Sequence, residues 1–137
     1  MQSQTLLDAG QAPDMIPRGP GGTPLAFNLQ GEPIPVREAI ELADNLDRCT
    51  LFWTPITLKS GRPAIVRTLF RVFDDEASQR AVPEGHVPQL YASVLFTPAP
   101  ENRFLMRLWT YGSPAEAHAG HPEAVFEFQS GRVDVDL

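Results

Sequence analysis

The stretch that decides the fold is Arg103 to Phe128, RFLMRLWTYGSPAEAHAGHPEAVFEF. In its first part, apolar side chains recur at every second position, with Phe104, Met106 and Leu108 on the same side. Because successive side chains of a strand point to opposite faces, this alternation predicts a β-strand with one wholly apolar face. The second part predicts a helix, whose start is the sharpest local signal in the chain.

That helix start is a capping box. Ser113 lies three residues before Glu116, so the serine hydroxyl can accept the N–H of residue 116 while the glutamate bonds the N–H of residue 113. Pro114 occupies the first helical position, where an N–H would have no helical partner. The signal predicts a helix start and no chemistry.

Upstream, three more segments have strand composition and alternation. They are Thr50–Leu58, Ala64–Phe73 and Gln89–Thr97. Ser60–Pro63 predicts a turn between the first two, and the polar residues 74–88 predict a long surface loop. Since the other connections are short, the four strands are expected to form an antiparallel sheet.

Before the strands, apolar residues at helical spacing predict one helix of about three turns from Pro35 to Arg48. The apolar face comprises Val36, Ala39, Ile40, Ala43 and Leu46. Residues 1–35 hold six prolines and five glycines, which disfavour regular structure. The tail after Gly131 alternates and is compatible with a further short strand.

The predicted fold class is therefore α+β. A four-stranded antiparallel sheet carries one N-terminal and one C-terminal helix in a single domain of residues 36–137. An extended Pro/Gly-rich arm of residues 1–35 precedes this domain, and it packs either on its own domain or on a neighbouring subunit.

Composition narrows the partner classes. The 137 residues carry a formal net charge of -6, which argues against nucleic acid as a partner. No apolar run is long enough for a membrane span, and the N-terminus has no signal peptide pattern. Cys49 is the single cysteine, so no internal disulfide is expected. A cytoplasmic or virion location, without secretion, is expected.

Assigning alternate residues of the four strands to two faces predicts an apolar core face under the C-terminal helix. This face comprises Phe52, Ile56, Val66, Phe70, Val72, Leu90, Val94, Phe96, Phe104, Met106 and Leu108. The opposite face is rich in arginine and large aromatics, the residue types enriched in protein interfaces. Its candidate interaction residues are Trp53, Arg67, Arg71, Tyr91, Arg107, Trp109 and Tyr111.

Three alternatives to an interface remain open. The first helix or the arm could cover this second face. Arg67, Arg71 and Arg107 could instead bind a small anionic ligand. His118 and His121 are weak candidates for a metal, because zinc requires more ligands and Pro122 follows directly. His121 shares a helix face with Ala117 and is expected to be a partly buried, hydrogen-bonded histidine.

Tyr111 to His121, YGSPAEAHAGH, resembles a signature of small uncharacterised phage and prophage proteins. That signature has an aromatic residue, Ser or Thr two positions later, and then Glu-Ala and Gly-His. The resemblance extends loosely back over Ala64–Tyr111, whereas family members typically have Trp at Pro114 and an uninterrupted helix at Pro122. It implies an α+β fold in a phage-related setting and brings no activity or catalytic residues.

The sequence thus favours a non-enzymatic interaction or assembly protein, such as an accessory structural subunit of a virion or prophage. It would bind a protein partner or form a homo-oligomer through the arm and the Arg/aromatic face. No cofactor is expected. The alternatives are a protein that binds or sequesters a small anionic ligand, and a metal-dependent hydrolase.

Overall fold

The computed structural model describes residues 14–132, and their backbone contacts divide them into two compact units. The first unit combines the chain up to Cys49 with Arg71–Pro88. The second unit combines Thr50–Phe70 with the chain from Gln89 onward. The long segment between the second and third strands therefore belongs to the first unit.

The second unit contains the predicted sheet. Its strands are β1 (Thr50–Thr57), β2 (Pro63–Phe70), β3 (Tyr91–Phe96) and β4 (Phe104–Tyr111). They lie in sequence order, and each pairs antiparallel with its neighbour. Helix α4 (Pro114–Ser130) follows β4, which confirms the α+β class and the C-terminal helix.

The start of α4 is close to the predicted capping box. The N–H of Glu116 donates to the Ser113 hydroxyl at 3.2 Å, as expected. The Glu116 carboxylate accepts the N–H of Gly112 at 2.9 Å, one residue earlier than predicted. The helix also continues through Pro122 to Ser130, although a proline there cannot donate to the carbonyl four residues before it.

Helix α4 packs on one face of the sheet. The apolar cluster between them is built from Ile56, Leu58, Ala64, Val66, Leu95, Ala124 and Phe128. Full burial of such side chains contributes about 1.5–3 kcal/mol each, so this cluster is the main stabiliser of the second unit.

Register corrects part of the predicted core face. Val94 pairs with Arg107, and Phe96 pairs with Phe104, so these side chains lie on the face away from α4. Ser93 and Leu95 face the helix instead. The prediction failed because β3 is buried along its whole length and β4 contains two bulges, each of which shifts the alternation by one residue.

The first unit contains α1 (Val36–Ala43) and α2 (Leu46–Cys49), where the sequence predicted one helix. They separate at Asn45, whose side-chain oxygen accepts the N–H of Arg48 as an N-cap. The buried positions of α1 are Val36, Ala39 and Leu42, whereas the predicted core residue Ile40 is 49% exposed.

Residues 74–88 are not wholly the predicted surface loop, because they contain helix α3 (Asp75–Gln79). Asp74 caps α3 by accepting the N–H of Ala77, and its carboxylate is buried against His86 at 2.8 Å. An acidic run ahead of alanine is a helix-start pattern that favoured this outcome.

The described part of the predicted arm, residues 14–35, contains turns and isolated bridges and no helix. It packs within the first unit, where Leu25, Ala26 and Phe27 are buried and Phe27 donates its N–H to the carbonyl of Val72. From residue 133 on, the alternating tail predicted after Gly131 lies outside the described residues, as do residues 1–13 of the predicted arm. Within residues 14–132, no helix has the length and apolarity needed to cross a membrane.

Candidate functional site

The face of the sheet away from α4 has two cross-strand rows that the register aligns. One row runs Trp53, Arg67, Val94, Arg107, and the neighbouring row runs Pro55, Ile65, Phe96, Phe104. We call the residues Trp53, Arg67, Phe96, Phe104 and Arg107 the cationic face. Directly opposed side chains in an antiparallel sheet are close enough to interact. Val94 and Phe96 in the centre are buried, and the exposed residues Trp53, Phe104 and Arg107 lie on the outer strands.

Arg67 is the centre of the cationic face. Its guanidinium lies over the Phe96 ring, 5.7 Å from the centroid, in cation–π geometry. It donates to the Thr50 hydroxyl at 3.3 Å and to the Asn102 side-chain oxygen at 3.4 Å. Both partners are neutral, and Nε is buried without a partner within the described residues. A partly buried cation is therefore oriented but not neutralised by a carboxylate of the described chain.

Large apolar side chains flank this arginine at the surface. Trp53 is 60% exposed and Phe104 is 56% exposed, and the Phe104 ring meets Phe96 edge-on at 6.2 Å. Arg107 is also exposed. Aromatic and arginine side chains in one surface are characteristic of the energetic centres of protein interfaces.

The two outer strands are poor places to add another strand. Pro55 in β1 cannot donate a backbone N–H, and β1 has a register shift between Thr50 and Phe52. The outer strand β4 has two such shifts in its pairing with β3. Proline and bulges are features that protect sheet edges, so the face is the better docking surface of this sheet.

The structure does not bring together the seven predicted interaction residues. Trp53, Arg67 and Arg107 share the cationic face. Tyr91, Trp109 and Tyr111 lie instead on the face that α4 covers. Arg71 belongs to the first unit and pairs with Asp75. Phe96 and Phe104 were missed because they were assigned to the core, and only the register of the bulged strand reveals them.

Under α4 lies a chain of four hydrogen bonds that the sequence did not predict as a whole. His121 Nε2 is 2.9 Å from the Thr54 hydroxyl, and Nδ1 is 2.7 Å from the Thr68 hydroxyl. Thr68 is 2.7 Å from the Ser93 hydroxyl, which is 2.9 Å from that of Tyr111. We call these five residues the hydroxyl–imidazole chain. The prediction of a hydrogen-bonded, partly buried His121 is confirmed.

Burial changes the ionisation of this chain. Desolvation lowers the pKa of His121, because the apolar surroundings disfavour the imidazolium. Desolvation also raises the pKa of Tyr111. The hydrogen bond to Ser93 lowers this pKa in part, and the negative charge of Glu123 raises it by a smaller amount. Both groups are therefore held neutral, as hydrogen-bonding partners.

His118 and His121 are not arranged as a metal pair. Both ring nitrogens of His121 are engaged by threonine hydroxyls, and the His118 ring meets Phe52 edge-on at 5.1 Å. Across residues 14–132, no three His, Cys, Asp or Glu side chains cluster so that they could hold a metal ion.

Two clefts are lined by described residues of the first unit. One of about 300 Å³ lies beside Glu38, Glu41, Asn45 and Arg48, and one of about 270 Å³ lies beside Pro35, Glu38 and Glu41. Both clefts contain carboxylates rather than the arginines predicted to bind an anion. Cys49 is buried, and burial raises the pKa of its thiol, which opposes a nucleophilic role.

No family model matches this chain, and neither does any curated protein or solved structure. Function is therefore inferred from the geometry of the cationic face and of the hydroxyl–imidazole chain.

Proposed function

We propose that this protein is a non-enzymatic interaction or assembly protein that docks through its cationic face onto an acidic segment of a protein partner. Trp53 and Phe104 would supply the apolar contact, Arg67 would pair with a carboxylate of that segment, and the charge of Arg107 would attract it. The observation that carries the proposal is Arg67, a partly buried guanidinium held between neutral partners.

The energetics of Arg67 favour a carboxylate partner. Removing an arginine from water is costly unless a charge or a full set of hydrogen bonds compensates it. Within the described residues its Nε lacks a partner, and its two hydrogen bonds are at the long end of the range. A bidentate carboxylate at the exposed part of the guanidinium would supply the missing compensation.

The partner is taken to be a protein because of the aromatic side chains. Trp53 and Phe104 are large, apolar and more than half exposed. Such side chains contribute little binding energy to a small anion but much to a protein partner, against which they can be buried. The arm does not carry this proposal, because its described part, residues 14–35, is packed within the first unit. The partner chemistry is therefore acidic with at least one apolar side chain.

The resemblance of Tyr111–His121 to phage and prophage proteins supports a virion or prophage assembly as the setting of this interaction. The first partners to examine are other structural proteins of such a particle, with a second copy of this chain as the alternative occupant. Neither remaining alternative has a specific observation in its favour. Arg67, Arg71 and Arg107 line neither described cleft, and both ring nitrogens of His121 are bonded to threonine hydroxyls.

The test is affinity capture from the native source, with a photo-crosslinking residue at position 104. We expect a cross-linked protein with an acidic segment at the cross-link, and weaker capture as salt is raised because the contact is partly ionic. Replacing Trp53, Arg67 and Arg107 together by alanine should reduce capture at least tenfold. Undiminished capture by this triple variant would exclude the cationic face as the docking surface.

The matched control is Phe126→Ala on α4. Phe126 is 54% exposed, close to the exposure of Trp53 and Phe104, but it lies on the helix and not on the cationic face. If loss of exposed aromatic surface were enough to abolish capture, this variant would do so as well. We expect it to retain the partner, and size-exclusion chromatography of the purified chain distinguishes a second copy from another protein.

A further inference from the structure

The hydroxyl–imidazole chain connects α4 to all four strands of the sheet through one imidazole ring. The hydrogen bonds run from Thr54 to His121 and then to Thr68, Ser93 and Tyr111. His121 belongs to α4, and the other four residues belong to the strands. Thr68 and Ser93 are fully buried. A neutral imidazole has one donor and one acceptor, so each direction of the chain implies one tautomer of His121.

The chain ends at the Thr54 hydroxyl on one side and at Tyr111 on the other. The Tyr111 phenol lies against α4, so close that a Cβ at Gly120 would be 2.4 Å from the hydroxyl oxygen. Among residues 14–132 this hydroxyl has Ser93 as its hydrogen-bond partner. In one direction Tyr111 donates to Ser93, Ser93 to Thr68, Thr68 to Nδ1 of His121, and Nε2–H donates to Thr54; in the reverse direction the ring proton is on Nδ1. In either direction, one of the two end hydroxyls, Thr54 or Tyr111, directs its proton away from the chain.

A second proton on the ring breaks this arrangement. Both nitrogens would donate, so Thr68 would have to give its own proton to Ser93, and Ser93 would give its proton to Tyr111. Thr54 and Tyr111 would then both direct their hydroxyl protons away from the chain, whereas with a neutral ring only one of them does. The charge of the imidazolium would also be partly buried, and burial of a charge without a counter-charge is destabilising.

We infer that His121 is an acid-sensitive lock, which holds α4 on the sheet while the imidazole is neutral and weakens that contact when it is protonated. This goes beyond docking through the cationic face, because it concerns the opposite face of the sheet. The consequence is that acid would loosen α4 and expose the apolar cluster around Leu95 and Phe128.

The groups around the ring do not favour the imidazolium. From the sheet, β1 presents Thr54 and Phe52, and β2, β3 and β4 present Thr68, Ser93 and Tyr111. From α4 itself, the titratable neighbours in sequence are His118 and Glu123, and Glu123 acts on Tyr111. Desolvation is the sole resolved cause of the lowered pKa of His121, so no nearby carboxylate offsets it.

The direct test is NMR of the wild-type imidazole, which needs no variant. Nitrogen-15 shifts should report a neutral ring at neutral pH, and the ring should titrate below about 6.5, the value for an unperturbed histidine. A ring that is doubly protonated at neutral pH, or a midpoint at or above that value, would overturn the inference. Neither outcome bears on the cationic face, so this failure is distinct from failure of the proposed docking.

The second test compares His121→Gln with His118→Gln by amide hydrogen exchange of α4 between pH 7.5 and pH 5. In wild type, protection of α4 should fall by up to about tenfold per pH unit below 6.5, the limit for uptake of one proton. The His118→Gln variant should keep this loss, because the chain of hydrogen bonds is intact. The His121→Gln variant should show a flatter profile, and an unchanged profile would contradict the lock.

Discussion

The two faces of the sheet in the second unit both contain polar and aromatic residues, but they differ in how the polar side chains are hydrogen-bonded. The face under α4 includes Thr68, Ser93 and Tyr111, whose hydroxyls are joined to His121 in one chain. The cationic face includes Arg67, which has two long hydrogen bonds to neutral partners and no carboxylate within the described residues. A polar residue in a sheet therefore indicates function only where its own fold leaves it without full hydrogen bonding or charge compensation, as at Arg67.

Substitution of Phe128 gives the largest expected difference between helix-covered and exposed positions. Phe128 is 1% exposed within the apolar cluster, so Phe128→Ala should lower the free energy of unfolding by about 3–5 kcal/mol. The matched variant is Phe126→Ala, two residues earlier on α4 and 54% exposed, which should change it by no more than about 0.5 kcal/mol. Urea denaturation measures both, and equal losses would contradict the placement of α4.

Gly120 tests how closely α4 approaches the sheet. A Cβ there would be 2.4 Å from the Tyr111 ring, so Gly120→Ala should lower the free energy of unfolding by about 1–3 kcal/mol, despite the better helix propensity of alanine. Combining it with Tyr111→Ala, which removes the ring, should make the effect of the alanine at position 120 smaller. Additive losses in this double-mutant cycle would show that the two residues are not in contact.

Thr68 tests the hydrogen bonds of the covered face. Thr68→Val keeps the shape but removes the partner of Nδ1 of His121 and one of the two partners of Ser93, so we expect a loss of about 1–3 kcal/mol in urea denaturation. The control is Thr57→Val on the exposed end of β1, with an expected change within about 0.5 kcal/mol. A neutral Thr68→Val would mean that the chain contributes nothing to stability.

Much of the architecture was predictable, because its signals are local. The strand β4, the serine cap at Ser113 and the turn at Gly61 each depend on a few adjacent residues, and all three are present, although bulges break the predicted alternation of β4. Helix α1 ended early because the Asn45 cap starts a new helix, which is also a local signal but was overlooked.

The candidate site was less predictable, because it depends on register. Trp53, Arg67 and Arg107 were predicted to share a face and do so, although counting alternate residues alone would have placed Trp109 beside Arg107. A bulge between these two β4 residues turns Trp109 toward the helix. Bulges arise from pairing with the neighbouring strand, so alternation within one strand does not reveal them. The hydroxyl–imidazole chain spans five distant positions and needs the folded structure.

Arg67 gives the smallest expected change in stability and distinguishes the two faces most sharply. Replacing a partly buried cation that lacks a carboxylate by an apolar side chain of similar length removes a desolvation cost, as analyses of buried charges show. Arg67→Met should therefore leave the free energy of unfolding unchanged or raise it by up to about 1 kcal/mol. The same variant should weaken partner capture at least tenfold, since a thioether cannot bind a carboxylate. A clear loss of stability in urea denaturation would mean that Arg67 serves the fold, and the argument for docking through this face would lose its central residue.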